Sequence, residues 1–417
     1  MPPATSNRCK ICSTPLFAFL SLGRMPIANA FLSGEDLLRQ EFFYHLEAGY
    51  CPGCHMVQLL TVVPYEMYLR PDREQKRKYL FFSSTSSRMA EHFSGFAAEI
   101  AGFLRPDSLV LDIGSNDGIT LQAFDRAKYR VLGIEPAHNV AEIARGKGIE
   151  TLTEFFTESL AQHIVSAKGK TRAILSSNVI LNIADLNEVM RAVAILLEDD
   201  GVFVFEDPYL PVILQNSTYD QFYDEHIYYF TAHAIASLVQ RHGMALFDAK
   251  PQDVHGGSMR FYVKRRQNTS IPVSPRVAEI IRQEERQGLA SFDAYRAFAG
   301  RADASRKELL ALLQVLKSQG KRVAGYAAAS KGTIITNYCR LTPDIIEYVA
   351  DSTPEKQGLY TPGMHIPVVS PEHFRQDQPD YALLFAWNHL QEIMEKEQEY
   401  LDKGGRFIVP FPRVKVV

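Results

Sequence analysis

Apolar and polar positions follow strand-like and helix-like periods in turn through the middle of the chain. Short apolar runs rich in Val, Leu, Ile and Phe each end in a polar or Gly-rich turn, and amphipathic segments separate them. This alternation predicts a parallel sheet covered by helices on both faces, with ligands bound at the carboxyl ends of the strands. The predicted strands are residues 108–113, 129–136, 150–156, 172–178 and 201–208.

The pattern of the last third is different. Residues 273–319 carry apolar positions at three- and four-residue spacing, which predicts a helical connector. Residues 321–332 then predict a strand, a Gly/Ala turn and a helix. Two further strands end at Asp351 and near Trp387, and we expect a long helix and a last strand behind them. The sequence therefore predicts a second, smaller Rossmann-like α/β domain at the C-terminus.

Length and composition are those of a soluble globular protein with several domains. The chain has 417 residues, 46% of them hydrophobic and 22% charged, and we divide it into residues 1–75, 76–268 and 269–417. A formal net charge of −3 gives no electrostatic reason to expect a nucleic-acid partner. No apolar run is long enough to span a membrane, and the first residues lack the apolar core of a signal peptide. We expect a cytoplasmic protein, with a monomer favoured over an oligomer.

Four of the five cysteines form two C-x2-C pairs, Cys9 with Cys12 and Cys51 with Cys54. In a reducing compartment, two such pairs are typical of a zinc site in which four thiolates complete a closed tetrahedral shell. Redox pairing is the alternative, and it is disfavoured because the motif occurs twice without a thioredoxin-like context. A closed shell leaves no position for a substrate. We therefore expect a structural zinc, with a small sheet between the two pairs.

The turn after the first strand of the middle region has the sequence D-I-G-S-N-D-G, residues 112–118. It does not match G-x-G-x-x-G, and it lacks the Lys-Ser/Thr of a phosphate-binding P-loop. It is similar to the first motif of S-adenosylmethionine-dependent methyltransferases, in which glycine lets the backbone approach the amino-acid part of the cofactor. A purely structural role for the glycines is the alternative. The candidate cofactor-binding residues in this turn are Asp112, Gly114, Ser115, Asn116 and Gly118.

Further cofactor candidates follow the next strands. Glu135 ends the second strand, where a carboxylate can accept hydrogen bonds from both ribose hydroxyls. Phe155 can flank the adenine, although core packing explains it equally well, and Ser177 and Asn178 end the fourth strand. A final antiparallel hairpin, residues 244–265, separates methyltransferase sheets from the all-parallel sheets of dehydrogenases. These features predict a central Rossmann-like class I methyltransferase domain that binds S-adenosylmethionine.

Two other stretches carry candidate chemistry. In F-Y-D-E-H-I-Y-Y-F, residues 222–230, Glu225 and His226 lie among aromatic residues. This pattern fits a catalytic base in an apolar pocket, and it also fits an ordinary strand or loop rich in Tyr and His. Ser330 and Lys331 begin a predicted helix of the C-terminal domain, where an anion such as a pyrophosphate can bind. A solvated lysine on a surface helix is the alternative there.

Taken together, a four-cysteine module, a methyltransferase core and a second nucleotide-type fold resemble the sugar C-methyltransferases that act on nucleotide-linked keto-deoxysugars. The similarity covers essentially the whole chain. It is densest at residues 201–210, 219–230, 254–263, 338–346, 351–358 and 383–389. The resemblance implies a dTDP-linked 4-keto sugar bound between the middle and C-terminal domains. It also implies removal of the C3 proton and methylation of the resulting enolate.

The resemblance also implies roles for individual residues. The base of the family corresponds to His226, with Tyr223 and Glu225 beside it and Tyr79 ahead of a serine run. A histidine suits deprotonation next to a ketone because its pKa lies near neutrality. A tyrosine hydroxyl can donate a hydrogen bond to the enolate oxygen. Glu225 can fix the imidazole tautomer or hold a sugar hydroxyl.

One position departs from the family pattern. Some relatives carry a histidine after the fourth strand, where this chain has Asn182. An asparagine can donate or accept a hydrogen bond, but it cannot exchange a proton near neutral pH. Either the substrate or the position of methylation differs from those relatives, or the histidine was deliberately substituted, which would look the same from sequence. His255 precedes two glycines and is a further substrate-binding candidate, ranked below His226.

Two other functions stay open from the residues alone. The first is O- or N-methylation of a sugar or a related acceptor, which needs no ketone. The second is a non-catalytic protein that binds zinc and retains an inactive methyltransferase core. The intact turn at residues 112–118 and Glu135 argue against the second.

Overall fold

The computed structural model describes residues 4–68, 70–71, 77–78 and 87–417. The N-terminal region consists of short strands, and its main sheet has the order β13-β4-β3-β2, so one of its strands comes from the middle of the chain. The small sheet expected between the cysteine pairs is therefore present. The strands of this region are β1 (Ala4–Thr5), β2 (Phe17–Pro26), β3 (Phe43–Tyr50), β4 (Val57–Leu59), β5 (Thr61–Val62), β6 (Arg70–Pro71) and β7 (Arg77–Lys78).

The middle region forms a seven-stranded sheet of order β10-β9-β8-β11-β12-β15-β14. The first five strands in that order are parallel, and β15 pairs antiparallel with both β12 and β14, which confirms the predicted closing hairpin. Its strands are β8 (Leu109–Ile113), β9 (Arg130–Ile134), β10 (Thr151–Leu152), β11 (Thr171–Ser177), β12 (Leu197–Pro208), β14 (Met244–Gln252) and β15 (Ser258–Arg265). Strand β13 (Tyr228–Tyr229) also lies in this part of the chain but belongs to the N-terminal sheet.

Helices cover both faces of this sheet. All five residues of its strand β8 are therefore buried, and neither face meets water there. The Thr157 hydroxyl accepts a hydrogen bond from the Leu160 amide and so caps the start of α4, and Thr231 caps α7 in the same way. The helices are α1 (Ser87–Ala101), α2 (Ile119–Gln122), α3 (His138–Gly146), α4 (Glu158–Lys168), α5 (Leu186–Leu196), α6 (Leu210–Asn216) and α7 (Ala232–Arg241).

The C-terminal region begins with two helices, the second of them 27 residues long, and continues into a six-stranded sheet of order β18-β17-β16-β19-β20-β21. The expectation of one long helix after the third strand is wrong, because two short helices, α12 and α13, occupy that part of the chain. The elements are α8 (Pro275–Arg286), α9 (Phe292–Ser318), β16 (Val323–Tyr326), α10 (Ser330–Cys339), β17 (Val349–Ala350), β18 (Val368–Val369), α11 (Pro371–Asp377), β19 (Tyr381–Leu384), α12 (Leu390–Lys396), α13 (Gln398–Asp402), β20 (Arg406–Val409) and β21 (Lys415–Val416).

The three regions share apolar cores. One cluster joins Met56 and the zinc-site cysteines to the middle sheet, and a second joins β2 and β3 to α9, α10 and the segment around Phe222. The N-terminal region is therefore packed against both of the others. Among the described helices, none is both long and apolar enough to cross a membrane.

Candidate active site

A cavity of about 500 Å³ opens at the carboxyl ends of β8, β9 and β11. Parallel strands that end together at one edge bring their following turns to the same place, so the sheet itself assembles this wall. The cavity is lined by many of the residues singled out in the sequence, namely Gly114, Asn116, Glu135, Phe155, Ser177, Asn178, Asn182, Glu225 and His255.

The turn after β8 depends on Gly114. Its φ is +69°, and a Cβ built there would lie 2.4 Å from Cγ2 of Val179, on the neighbouring turn after β11. Any side chain at Gly114 would therefore collide with that turn and also occupy an unfavourable backbone region. Gly118 has a φ of +79° and packs against Ile149 and Ala144, so its role in this structure is to join the turn to α3 and β10.

Glu135 is held at the end of β9 by two backbone amides. The Asn116 amide donates to Oε2 at 3.1 Å, and the Ala137 amide donates to Oε1 at 2.7 Å. Burial raises the pKa of Glu135 to about 7, although both amides favour its ionised form. A carboxylate fixed in this way keeps lone pairs free for donors from the cavity, as the ribose hydroxyls of the cofactor would supply.

Asp112 and Ser115 lie behind the cavity wall and are not among its lining residues. Asp112 is buried, which raises its pKa to about 7, and a hydrogen bond from Thr120 opposes that rise. Ser115 packs beside Gly133, where an added Cβ would lie 2.5 Å from its Oγ. Both residues therefore support the turn from within.

Three side chains bring unpaired polar atoms to the cavity. Within the described residues, Oγ of Ser177 and Oδ1 of both Asn178 and Asn182 are buried and have no hydrogen-bond partner. A buried polar atom left without a partner is unfavourable, so these three atoms fit a site that is completed by a polar ligand. They complement the acidic Glu135 on the other side of the cavity.

The N-terminal region supplies a further wall of the cavity, for which the sequence contains no motif. Val62, Val63, Pro64, Tyr65 and Tyr68 line the cavity. The ring of Tyr65 lies 4.2 Å from that of Phe155, a separation at which aromatic side chains pack closely. Residues 62–68 lie a few positions after the second cysteine pair. Their closeness to that pair was the only sequence feature that could have pointed to them.

His226 is buried and hydrogen-bonded through both ring nitrogens. Its Nδ1 lies 3.1 Å from the carbonyl oxygen of Gln221, and its Nε2 lies 2.6 Å from the hydroxyl of Tyr223. Because a carbonyl oxygen can only accept, Nδ1 carries the proton and Nε2 accepts from Tyr223. Burial, followed by the charge of Lys331, lowers the pKa of His226 to about 3. The imidazole is therefore neutral around pH 7, with its lone pair at Nε2.

Glu225 and His226 point to different partners. The segment between Phe222 and Tyr228 is a turn, and Glu225 lines the cavity while His226 lies behind it. The side-chain amide of Asn29 donates to Oε1 of Glu225 at 2.6 Å. Tyr223 stays half-buried beside His226. Glu225 therefore does not set the imidazole tautomer, which the Gln221 carbonyl does instead.

A half-buried positive charge lies close to this pair. Lys331 is the second residue of α10, and its ammonium lies 5.1 Å from the ring centre of Trp387. Trp387 in turn donates from its indole N–H to Oδ2 of Asp220 at 2.6 Å. Burial lowers the pKa of Lys331, and Asp220 opposes that shift. Lys331 is therefore half-buried against Trp387 and not fully solvated.

His255 lines the cavity and lies within electrostatic reach of Lys331. It has a φ of +54° in the turn before β15. Burial, followed by the charge of Lys331, lowers the pKa of His255 to about 4. Ser330 begins α10 beside Lys331, and neither of these two residues lines the cavity.

The four cysteines meet in one cluster. All four Sγ atoms lie within 4.8 Å of one another, with Cys9 to Cys54 at 3.5 Å and Cys12 to Cys51 at 3.4 Å. Zinc with Zn–S bonds of about 2.3 Å holds its sulfurs roughly 3.8 Å apart, so the donor set and its spacing fit a tetrahedral zinc ion. Tyr79, the remaining predicted catalytic residue, lies outside the described residues.

Comparison with known protein families follows the predicted order of regions. Residues 9–68 match a model described as "Putative zinc binding domain", residues 85–248 match "Methyltransferase domain", and residues 253–412 match "C-methyltransferase C-terminal domain". These matches and the four clustered cysteines confirm the predicted fold class and the two cofactors, S-adenosylmethionine and zinc.

Individual proteins give a similar result. The C-methyltransferase NovU of Streptomyces niveus is 34% identical over 415 residues, which are 99% of this chain and 97% of that protein. Magnesium protoporphyrin IX methyltransferase from Synechocystis PCC 6803 is 12% identical, with a TM-score of 0.32 over 43% of this chain and 78% of that one. An S-adenosylmethionine-dependent methyltransferase from Clostridium acetobutylicum ATCC 824 is 15% identical, with a TM-score of 0.34 over 42% of this chain and 92% of that one. The two structural similarities are too low to support an inference.

Proposed function

Because the chain belongs to the C-methyltransferase family and is an S-adenosylmethionine-dependent enzyme, we propose that its acceptor is a nucleotide-linked 4-keto-deoxysugar, with dTDP as the nucleotide. The methyl group goes to C3, the carbon next to the ketone. One observation carries this proposal. His255 and Glu225 line the same cavity as the cofactor residues, and His226, which is hydrogen-bonded to Tyr223, follows Glu225 in the same turn.

The cofactor half of the cavity is the part formed by the sheet edge. S-adenosylmethionine, when bound, supplies an electrophilic methyl group. In the proposed complex, Glu135 accepts from its ribose hydroxyls and Phe155 lies against its adenine. Ser177 and Asn178 offer the unpaired atoms that its polar groups can reach. The turn at Gly114 leaves room for its amino-acid part, because no side chain projects from that residue.

Proton removal is assigned to His226. Its Nε2 is the nitrogen that carries the lone pair, because Nδ1 donates to the Gln221 carbonyl. In the proposed reaction Nε2 takes the C3 proton, and the electron pair of the C–H bond passes to the ketone as an enolate. Tyr223, which donates to Nε2 in this structure, turns its hydroxyl to the enolate oxygen. A neutral imidazole is required for the first step, and burial keeps it neutral. The lowered pKa also makes His226 a weaker base than the near-neutral histidine expected from the sequence.

The negative charge that develops on the sugar meets Lys331. Its ammonium lowers the pKa of both His226 and His255, so it lies within electrostatic reach of both rings. The same charge at the start of α10, beside Ser330, can hold the diphosphate of the substrate. Asn182 offers its unpaired Oδ1 to a sugar hydroxyl, in the position where some relatives have a histidine.

The test is methyl transfer to dTDP-4-keto-6-deoxysugars labelled with deuterium at C3. We expect a product heavier by one methyl group, with the deuterium lost. The matched acceptors are the same sugars with the ketone reduced, which should not react. Methylation of the reduced sugars with the deuterium retained would contradict the proposal and indicate O-methylation. Variants Lys331→Gln and Asn182→Ala should raise the KM for the sugar while leaving the affinity for S-adenosylmethionine unchanged.

A further inference from the structure

A short segment after β2 connects the N-terminal region to both other regions. The Ala28 amide donates to Oδ1 of Asp224 at 2.9 Å, and the Ala28 carbonyl accepts from the hydroxyl of Thr333 at 2.8 Å. Asp224 is fully buried and immediately precedes Glu225. One residue of the N-terminal region thus ties the turn at 222–227 to the start of α10.

The next residue reaches the cavity wall itself. The Asn29 side chain donates to Oε1 of Glu225 at 2.6 Å, and Glu225 is only 4% exposed although it lines the cavity. A hydrogen bond to a charged acceptor is stronger and more directional than one between neutral groups. Lys356 of the C-terminal region lies within electrostatic reach of Glu225 and donates to the Ala328 carbonyl at 2.8 Å. Glu225 is therefore surrounded by residues of all three regions.

The far end of the same turn is fixed to the N-terminal sheet. Strand β13 pairs with β4 through Tyr228 opposite Gln58 and Tyr229 opposite Val57, and the Leu59 amide donates to the Ile227 carbonyl at 2.8 Å. The turn that carries Glu225 and His226 is thus held on both sides by the N-terminal region. Of the two carboxylates in that turn, only Glu225 lines the cavity, and Asn29 contacts it.

We propose that Asn29 is a positioning residue that orients the Glu225 carboxylate toward the substrate, so that the N-terminal region supplies part of the reaction site. The proposal rests on the proposed function in one respect only, namely that Glu225 contacts the sugar. Asn29 acts by donating one hydrogen bond to Oε1, which fixes the orientation of the carboxylate at the cavity wall. Without this donor the carboxylate is held less firmly in that orientation.

A double-mutant cycle tests the proposal. Asn29→Ala should lower kcat by about 10- to 100-fold, since a small misplacement of a positioned group has effects of this size. The affinity for S-adenosylmethionine, measured by calorimetry, should not change. In a Glu225→Ala background, Asn29→Ala should have no further effect on kcat. The control is Asn7→Ala, an exposed asparagine of the same region, which should keep full activity. Multiplying effects of Asn29→Ala and Glu225→Ala would overturn the proposal.

A second measurement needs no substrate. Urea unfolding is measured for the unmodified protein, Asn29→Ala, Glu225→Ala and the double variant. The unfolding equilibrium constant of the double variant should differ at least about threefold from the value expected if the two single effects multiplied. Independent effects in both measurements would remove Asn29 from this role. Absence of turnover in the unmodified protein on keto sugars would count against the proposed function alone, because the unfolding cycle still decides the contact between Asn29 and Glu225.

Discussion

Replacing Gly114 by alanine should disturb both the stability of the protein and its affinity for S-adenosylmethionine. Two separate effects act at this position. A residue with a Cβ is disfavoured at a φ of +69°, and the added carbon would lie 2.4 and 2.7 Å from the two Cγ atoms of Val179. The turns after β8 and β11 must then move apart, and both of them line the cavity.

The two effects have different sizes. The left-handed backbone region costs about 1–2 kcal/mol for a residue with a side chain. Forcing a carbon into a filled space costs about 1–3 kcal/mol more. We therefore expect Gly114→Ala to lower the free energy of unfolding by about 2–5 kcal/mol. Gly320 offers a matched control, because its φ is also +69° and an added Cβ would meet nothing within 4 Å. Gly320→Ala should show the backbone effect alone.

Urea unfolding of the two variants measures the difference, and calorimetry with S-adenosylmethionine measures the binding. We expect Gly114→Ala to be the less stable variant by about 1–3 kcal/mol and to bind the cofactor at least about tenfold more weakly. Gly320→Ala should bind it normally. Equal stability of the two variants, together with unchanged binding, would refute the argument that the close approach of the two turns shapes the cofactor site.

Three further predictions concern the chemistry of the site. His226→Asn should lose most turnover while still binding S-adenosylmethionine, and near-normal activity would remove His226 from the role of base. Burial raises the pKa of Glu135 to about 7, and the ribose needs its carboxylate form, so cofactor affinity should rise roughly tenfold from pH 6 to pH 8. That rise in affinity should be largely absent in Glu135→Gln. The same pH dependence in this variant would show that another group causes it. Metal analysis should find about one zinc per chain, and chelation should unfold the N-terminal region and abolish methyl transfer; retained activity without metal would contradict this.

Much of the fold follows from features that are local in sequence. The buried strand β8, the glycine turn and the acid at the end of β9 are set by residues close together in the chain, and each is where the apolar pattern predicts it. The cysteine pairs are equally local, since each forms one tight turn. Such signals can be recognised because the physical constraint and the sequence motif coincide.

The rest depends on contacts that are distant in sequence. The pairing of β13 with β4 joins residues 228–229 to residues 57–58, and no periodicity in either stretch announces it. The same holds for Asn29, which meets Glu225 across 196 positions, and for Tyr65 against Phe155. The contact between Lys331 and Trp387, and that between Trp387 and Asp220, are likewise distant in sequence and have no local signal.

The membership of β13 in the N-terminal sheet has a consequence for how this protein can be divided. A methyltransferase fragment cut from residues 76–268 would keep the cofactor edge of its sheet but lose the strand that β13 needs as its partner. It would also leave an unpaired, apolar strand edge, which favours aggregation. Exchanging the middle region between relatives would likewise separate the turn at 222–227 from the N-terminal strand that supports it. The smallest transferable unit is therefore the pair of regions together, and this turn is exchanged only along with the four-cysteine cluster.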